Sequence, residues 1–404
     1  MDRVILHCDC NSYFASVECI NRPELRKVPM AVCGDPEGRR GIILAKNELA
    51  KKFGIVTAET VWQALRKCPH LTLVPPHSDQ YEEYCRKINA IYGEYTDQVE
   101  QFSIDESWLD VTGSQHLFGS GREIADTLRR RIWEELGLTI SVGVSFNKMF
   151  AKLGSDYKKP DATTVITREN YKQILYPLPV GDMMFVGKAA GEVLHRNYID
   201  TIGDLAATPV ERLNRLLGKS GETLWCFANG LDDSPVRRPW ESDPVKSVGN
   251  SLTFCRDLQG MEDVKAGLML LCESVGSRLR HLGQMGQTIG ISIKDPALKV
   301  ISRQAPLPGP TQSTQALLTA SLGLLCRSWD LSAPIRMLSV TAMNLCSKDV
   351  GGYQVSLFPA QAVRQEKQEK LEAVIDGVRR RFGEKAVELG TLMTADILHH
   401  REEE

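Results

Sequence analysis

Three acidic residues could together hold divalent metal ions. Asp9 ends a short apolar run, residues 4–9, that is typical of a buried strand, and Asp105 and Glu106 stand side by side between two further strand-like runs. Carboxylate oxygens are the ligands that Mg²⁺ prefers, and transfer of a phosphoryl group uses two such ions about 3.5–4 Å apart. A single Asp, or an Asp-Glu pair in a turn, more often serves the turn alone, so this chemistry requires the three acids to converge.

The segments around these acids predict a mixed α/β unit. A helix over residues 11–20 follows Asp9, because its apolar residues recur at helical intervals. An inserted lobe, from about residue 23 to residue 76, is rich in helix formers, Pro and Gly. The other elements expected in this unit are strands over residues 99–104, 107–112 and 139–145 and a helix over residues 121–137.

Two similar glycine-centred turns follow in a region of short predicted helices. They lie at Gly187-Lys188 and at Gly218-Lys219, and they resemble helix-hairpin-helix units. In such units the glycines let backbone N–H groups approach a phosphate at a helix N-terminus, which binds DNA without sequence preference. Each turn could also be an ordinary helical hairpin with a capping glycine, but two copies in succession favour DNA binding.

The C-terminal part of the chain predicts a further domain. Residues 232–245 are polar and Pro-rich, as in a linker, and residues 246–348 follow with six regular elements in the order β-α-β-β-α-β. This stretch has eleven basic and six acidic residues, an excess of five positive charges in a chain of net charge −2. A basic domain suits contact with a nucleic acid backbone, although a solvated charged face explains the count equally well.

Composition limits the class of protein. The 404 residues are 42% hydrophobic and 25% charged, which is typical of a soluble protein with two to four domains. The 11 cysteines show no zinc-ligand spacing, and their odd number favours reduced thiols. Because no apolar leader and no run of membrane-spanning length is present, we expect a cytoplasmic protein without membrane contact.

Three motifs are highly specific in combination. They are ILHCDCNSYFASVE at residues 5–18, FSIDESWLD at residues 102–110 and SFNKMFAKLGSDYKKP at residues 145–160. Together they resemble the Y-family translesion DNA polymerases, with the polymerase IV type as the nearest match, over nearly the whole chain. The resemblance implies an α+β multidomain fold built like a right hand. Its implied parts are a palm (1–22 and 77–165), fingers (23–76), a helix-hairpin-helix thumb (166–231), a linker (232–245), a β-α-β-β-α-β little finger (246–348) and a tail (349–404).

The resemblance also implies roles around the three acids. Asp9 and Asp105 match the metal-binding aspartates of the family, and Glu106 matches its essential carboxylate. Cys10 matches a position that offers only its backbone carbonyl, and the implied cofactors are two Mg²⁺ ions. Phe14 matches the steric gate, an aromatic ring under the sugar that leaves no room for a 2′-hydroxyl and so selects deoxynucleotides. Without the resemblance, Phe14 would be interpreted as a core residue.

The family's triphosphate-binding positions are only partly matched. Lys159 matches a triphosphate contact, but Glu48 and Lys51 stand where relatives have Tyr and Arg. Because lysine is a point charge rather than a bidentate fork, we expect weaker or rearranged binding and leave Glu48 out of the site. Asn11 stands where many relatives have a second Asp, as it does in the polymerase V catalytic subunits. The implied nucleotide-binding residues are Asn11, Ser12, Tyr13, Phe14, Lys51 and Lys159.

Two further lysines lie in the third motif. Lys148 and Lys152 are four residues apart and therefore share one face of a helix. A role in the site and a solvated helix face are equally compatible with this spacing.

The tail contains a candidate partner-binding peptide. Gln354, Leu357 and Phe358 have a spacing that resembles a sliding-clamp-binding peptide, in which apolar anchors enter a pocket and raise the effective concentration on DNA. The alternative is a segment that packs on its own domain. An apolar stripe at helical spacing follows, formed by Leu371, Val374, Ile375, Val378 and Phe382.

The resemblance implies error-prone, template-directed DNA synthesis past damaged bases. The implied partners are primer-template DNA, deoxynucleoside triphosphates and a sliding clamp, and we expect a monomer. A nucleotide cyclase or a nuclease could use the same carboxylates, but neither needs the thumb, the basic domain and the clamp peptide together. A catalytically weak accessory protein that binds DNA and the clamp is the second alternative, favoured by Glu48 and Lys51.

Overall fold

The structure, a computed structural model, describes residues 2–36, 41–241, 243–348 and 359–383, together with residues 386–387, 390 and 396–397. The chain divides into two compact units, of which the first contains residues 1–36 and 41–242 and the second begins at residue 243. The elements of the first unit are β1 (Ile5–Cys10), α1 (Tyr13–Asn21), β2 (Met30–Cys33), β3 (Ile43–Lys46), α2 (Glu48–Lys51), α3 (Val61–Lys67), β4 (Thr72–Val74), α4 (Ser78–Gly93), β5 (Val99–Gln101), β6 (Glu106–Asp110), α5 (Gln115–Phe118), α6 (Gly121–Leu136), β7 (Ile140–Ser145), α7 (Lys148–Tyr157), β8 (Thr163–Val165), α8 (Tyr171–Leu175), α9 (Lys188–His195), α10 (Ile202–Ala207), α11 (Val210–Leu217) and α12 (Lys219–Ala228).

A five-stranded sheet, with strand order β5-β6-β1-β7-β8, lies within the first unit. Strand β1 is buried along its whole length and pairs antiparallel with both β6 and β7. Since side chains alternate along a strand, Leu6, Cys8 and Cys10 enter the core that α4 and α6 cover. His7 and Asp9 therefore face the opposite side of the sheet, where they contact α7.

Helix α7 can lie close to the sheet because β7 contains Gly143. A Cβ atom at this position would lie 1.9 Å from the carbonyl oxygen of Ala151 and 2.5 Å from the backbone nitrogen of Ser155. The Ser155 hydroxyl hydrogen-bonds to Nδ1 of His7 at 2.8 Å and to the carbonyl of Lys152 at 2.8 Å. These contacts fix the helix, and with it the Lys152 side chain, over the end of β1.

The inserted lobe contains a three-stranded sheet, which the sequence does not predict. Its order is β3-β2-β4, with β2 antiparallel to β3 and parallel to β4. The strands are three or four residues long, and periodicity cannot distinguish such short apolar runs from helix. Helix α2 begins after Asn47, whose side chain accepts a hydrogen bond from the Ala50 N–H at 2.9 Å and donates one to the Val28 carbonyl at 2.8 Å. Asn47 thus fixes α2 within the lobe.

The five short helices α8 to α12 follow the sheet. As predicted, α9 and α12 begin directly after Gly187 and Gly218. Gly218 has a φ of +63°, in the left-handed region that favours glycine. Both helix starts, including Lys188 and Lys219, are exposed, so the predicted turns are present at the surface. Their contact with DNA remains a prediction.

Most of the segment predicted to be a linker lies against the first unit. Val236 is buried, Arg237 pairs with Glu100 at 3.3 Å, and Arg238 pairs with Asp97 at 3.0 Å. Residues 232–241 are therefore held by the first unit.

Within the described residues of the second unit, one sheet and the two helices Gly260–His281 and Thr314–Ser328 share a single core. Its strand order is β11-β10-β12-β9, and every neighbouring pair is antiparallel. The β-α-β-β-α-β order predicted for residues 246–348 is confirmed. The elements of this unit are β9 (Ser247–Leu258), α13 (Gly260–His281), β10 (Gln284–Lys294), β11 (Val300–Thr311), α14 (Thr314–Ser328), β12 (Ile335–Ser347) and α15 (Pro359–Phe382).

Helix α15 docks on the second unit through charged side chains rather than through its predicted apolar stripe. Arg280 of α13 pairs with Glu372 at 2.8 Å and with Asp376 at 2.5 Å. Glu372 also accepts hydrogen bonds from the Ser313 hydroxyl and the Thr314 N–H, at the start of α14. Three residues of the predicted stripe are instead exposed, namely Leu371, Val374 and Phe382.

The predicted clamp-binding residues Gln354, Leu357 and Phe358 lie outside the described residues. Their role stays a prediction. Within the described part of the chain, no helix combines the length and apolar character needed to cross a bilayer.

Candidate active site

The antiparallel pairing of β1 and β6 brings the three predicted acids together. Asp9 stands directly opposite Glu106 in the β1–β6 register, one residue before the end of β1. The N–H of Cys10 donates a 3.0 Å hydrogen bond to the Asp105 carbonyl and extends this pairing into the turn. Residues almost one hundred positions apart therefore lie at the same end of the sheet, as the predicted chemistry requires.

Two lysines lie against these carboxylates. The ammonium of Lys152 is 3.2 Å from Oδ2 of Asp9 and 2.5 Å from Oε1 of Glu106. Lys159 is 2.7 Å from the same Asp9 oxygen, and both lysines also contact Asp156. Neither Lys152 nor Asp156 was predicted to belong to the site. The helical spacing made Lys152 a candidate, but only the approach of α7 to β1 decides that it reaches the acids.

The pKa values of Glu106 and Asp9 are shifted in opposite directions. Burial raises the pKa of Glu106, and its hydrogen bond with Asp9 raises this pKa further, against the effect of Lys152. Burial also opposes ionisation of Asp9, but the hydrogen bond from Glu106 and the charges of Lys159 and Lys152 outweigh it and lower the Asp9 pKa. The contact between the two carboxyl groups therefore raises the pKa of Glu106 and lowers that of Asp9.

Asp105 lies beside this pair. Burial raises its pKa, and the nearby charge of Asp9 adds to that effect, whereas a 2.7 Å hydrogen bond from the Ser103 hydroxyl opposes it. Ser103 comes from the same turn and was not predicted. Its hydroxyl fixes the position of the Asp105 carboxyl.

The donor chemistry of the site fits a hard divalent cation. Asp9, Asp105 and Glu106 offer carboxylate oxygens from one sheet edge, and hard cations bind oxygen. In the described part of the chain, no three acidic, His or Cys side chains are already arranged as metal ligands. The Lys152 ammonium instead supplies positive charge between Asp9 and Glu106, so it would have to move before a cation could bind both carboxylates.

The predicted gate residue belongs to an aromatic stack that the sequence does not reveal. Phe14 stacks on Tyr81 of α4, with ring centroids 4.3 Å apart and planes inclined by 14°. The Tyr81 hydroxyl donates a 2.5 Å hydrogen bond to the buried carboxylate of Glu18, and the Tyr13 hydroxyl donates a 2.6 Å bond to the Tyr81 carbonyl. Phe14 is thus braced from α4, which lies more than sixty residues further along the chain.

Asn11 has a structural role that explains its amide. Its Nδ2 group donates to the Ser141 hydroxyl at 2.9 Å, and its Oδ1 atom accepts from the Asp161 N–H at 2.8 Å. An ionised Asp could accept from the same Asp161 N–H but could not donate to Ser141, whose hydroxyl would have to act as the donor instead. Asn11 therefore ties the loop after β1 to the segment that follows Lys159.

The remaining predicted nucleotide contacts, Ser12 and Lys51, both meet Glu48 of the inserted lobe. Ser12 has a φ of +50°, and its hydroxyl donates to Oε1 of Glu48 at 3.3 Å. Lys51 contacts the same oxygen at 2.5 Å. Glu48, which was left out of the predicted site, is therefore in contact with two residues that were included.

Lys148 does not join the site. It pairs with Glu100 at 2.7 Å and lies over the Trp108 ring, 4.4 Å from its centroid. Only 9% of the Lys148 side chain and 16% of the Lys152 side chain are exposed, so the solvated-face interpretation is wrong for both.

Comparisons with known proteins agree with this fold. Residues 8–156 match the impB/mucB/samB family, and residues 245–357 match the C-terminal domain of that family. The chain is 48% identical to DNA polymerase IV of Acetivibrio thermocellus, over 97% of this chain and 98% of that protein. It is 39% identical to DNA polymerase IV 2 of Bacillus subtilis, over 98% and 95% of the two chains.

A solved structure is similar in fold. It is a Y-family DNA polymerase chimera that matches with a TM-score of 0.75 and 24% identity, over 85% of this chain and 99% of that one. The sequence motifs, the register that joins Asp9 to Glu106, and the full-length relatives lead to one assignment. The chain belongs to the Y family of DNA polymerases and, within that family, to the DNA polymerase IV type.

Proposed function

We propose that this protein extends a DNA primer past damaged template bases with low fidelity, using two Mg²⁺ ions held by Asp9, Asp105 and Glu106. As a member of the polymerase IV type, it is a DNA-directed DNA polymerase that acts in translesion synthesis. The number of ions, the ligand set and the error rate are part of the proposal. The observation that carries the proposal is the β1–β6 register, which sets Asp9 opposite Glu106 and next to Asp105.

The residues around the acids support the proposed roles. Bound Mg²⁺ would lower the pKa of the primer 3′-hydroxyl and neutralise charge on the leaving phosphates. Asp9, Asp105 and Glu106 provide the oxygen ligands, and the backbone carbonyl of Cys10 is the fourth proposed ligand. Lys152 and Lys159 contact the Asp9 carboxylate at 3.2 Å and 2.7 Å. Release from Asp9 and Asp156 would leave Lys159 free to bind triphosphate.

Primer extension tests this proposal. The purified protein should extend a primed template with magnesium and deoxynucleotides, and Asp105→Ala should abolish extension without weakening DNA binding. Glu123→Gln is a suitable control, since Glu123 caps the exposed start of α6, outside the site. Undiminished extension by Asp105→Ala would refute the metal assignment. A wild-type protein that binds DNA but does not extend it would favour the accessory-protein alternative.

Phe14 is the proposed determinant of sugar selection. Its ring is half-buried and braced by Tyr81, which would allow it to resist displacement by a 2′-hydroxyl. Phe14→Ala should therefore incorporate ribonucleotides more readily. Unchanged discrimination between deoxynucleotides and ribonucleotides would remove the gate role.

Contacts with DNA and a sliding clamp complete the proposal. The helix starts at Gly187-Lys188 and Gly218-Lys219 are exposed and long enough to present backbone N–H groups to phosphates. Leu357 and Phe358 remain the proposed clamp anchors of a monomeric enzyme. Replacing both by Ala should weaken clamp binding but leave clamp-free synthesis unchanged, and loss of both activities would indicate a structural segment.

A further inference from the structure

The side chain of Glu48 contacts two residues that are predicted to bind the incoming nucleotide. Its Oε1 atom accepts a hydrogen bond from the Ser12 hydroxyl at 3.3 Å and contacts the Lys51 ammonium at 2.5 Å. Both partners are among the predicted nucleotide-binding residues. One carboxylate oxygen thus accepts hydrogen bonds from a hydroxyl and an ammonium group that could otherwise bind a phosphate oxygen.

The surroundings give a ligand access to this position. Ser12 and Glu48 line a cleft of about 360 Å³, together with Asn11, Pro160 and Asp161. The side chains of Glu48 and Lys51 are 53% and 42% exposed. The contact between them is therefore open to competition from solvent or from a bound anion.

The local fold alone does not explain the contact with Ser12. Glu48 is the first residue of α2, where an acidic side chain is favoured by the helix dipole, but that effect does not require contact with Ser12. Helix α2 is already capped by Asn47, whose Oδ1 atom accepts from the Ala50 N–H. The Ser12–Glu48 hydrogen bond instead joins the loop after β1 to the inserted lobe.

We propose that the Glu48 carboxylate occupies the place of a nucleotide phosphate in the free enzyme, and that an incoming triphosphate must displace it from Ser12 and Lys51. This inference rests on the proposed nucleotide site. Glu48 then sets the affinity for every deoxynucleotide alike, because it competes with the phosphates rather than with the base. Displacement leaves a negative charge close to the bound triphosphate, which weakens binding further.

Steady-state insertion of a single nucleotide at saturating primed template tests this inference. Glu48→Gln keeps the size of the side chain but removes its charge, so the KM for deoxynucleotide should fall about three- to tenfold while kcat stays nearly constant. Inorganic pyrophosphate, which shares only the phosphate contacts, should inhibit the variant at correspondingly lower concentrations. Glu48→Ala should give the same direction of change.

The chain offers a matched control for the loss of one exposed acid. Glu83 pairs with Lys87 at 2.7 Å on α4, and its side chain is 51% exposed, close to the value for Glu48. Glu83→Gln should leave KM, kcat and pyrophosphate inhibition unchanged. A KM that is unchanged or raised in both Glu48 variants would overturn the inference, since Glu48 would then be inert or would assist Lys51.

The same assay separates this inference from the proposed function. Extension by the wild-type protein tests the function, and the ratio of KM values between wild type and Glu48→Gln tests the role of Glu48. If the wild type extends the primer and the ratio is one, only the inference fails. If the wild type does not extend the primer, the proposed function fails.

Discussion

Two lysines one helical turn apart on α7 enter two different clusters of charge. Lys148 pairs with Glu100 at 2.7 Å, in a cluster that ties α7 to β5 and to the segment after α12. Lys152 pairs with Asp9 and Glu106 at 3.2 Å and 2.5 Å, in the candidate active site. Both lysines are largely enclosed, so burial alone does not separate the structural cluster from the site.

The two clusters differ in how they shift the pKa of their buried glutamate. Burial opposes ionisation of Glu100, but hydrogen bonds from Lys148 and from the Arg237 N–H outweigh it and lower the pKa of Glu100. Burial and the contact with Asp9 instead raise the pKa of Glu106. The Glu100 cluster is therefore complete without a ligand, whereas the Glu106 cluster contains more buried acid than its lysines neutralise and is suited to accept a cation.

Removing the site carboxylate should have the largest effect on activity. We expect Glu106→Gln to lower primer extension by more than about a hundredfold, because even residues that only support metal ligands contribute about 10- to 100-fold. The free energy of unfolding, measured with urea, should change by less than about 1 kcal/mol, since Glu106 gains little from being ionised. Extension within tenfold of the wild-type rate would exclude Glu106 from the metal site.

Removing the structural carboxylate should give the reverse pattern. Glu100→Gln leaves the buried Lys148 ammonium without its partner, and we expect a loss of about 3 kcal/mol in the free energy of unfolding. The extension rate per folded molecule should not change. Glu94→Gln is the control, because Glu94 pairs with Arg131 at the surface and such pairs contribute less than about 1 kcal/mol. Equal losses in the two variants would contradict the comparison.

Replacing each lysine by Met should separate the clusters by their response to magnesium. Without Lys152, the cation competes with no ammonium for Glu106 and only with Lys159 for Asp9, so Mg²⁺ should raise the Tm at least about 2 °C more than it does in the wild type. Lys148→Met should lower the Tm and leave the magnesium-dependent shift unchanged. Thermal unfolding with and without MgCl₂ measures both. Identical magnesium shifts in the two variants would show that Lys152 does not occupy the cation position.

The pH dependence of stability should show the smallest difference. Because the folded-state pKa of Glu100 is below its unfolded value, its contribution is present above the unfolded pKa of about 4.3 and is lost as the pH falls through the folded value. The stability difference between wild type and Glu100→Gln should therefore be constant from pH 7 to pH 6 and decrease below about pH 4.5. Urea unfolding across this range measures it, and a difference that grows on acidification would contradict the assigned sign.

The sequence by itself determined the order of elements in residues 246–348 and the three acids of the candidate site. The spacing of apolar residues predicted all six elements of residues 246–348, because each element is long enough to show a clear helix or strand period. Asp9, Asp105 and Glu106 were found from their positions at strand ends. The sheet of the inserted lobe was missed because its strands are too short to carry a period.

Only the tertiary structure decided which partners these residues meet. Their spacing did not distinguish Lys148 from Lys152. In the structure, α7 packs closely against Gly143, and Lys148 pairs with Glu100 whereas Lys152 pairs with Asp9. The brace of Phe14 by Tyr81 and the contact of Glu48 with Ser12 also join distant segments. A sequence pattern records which face a residue occupies, but the identity of its neighbour depends on how separate elements pack.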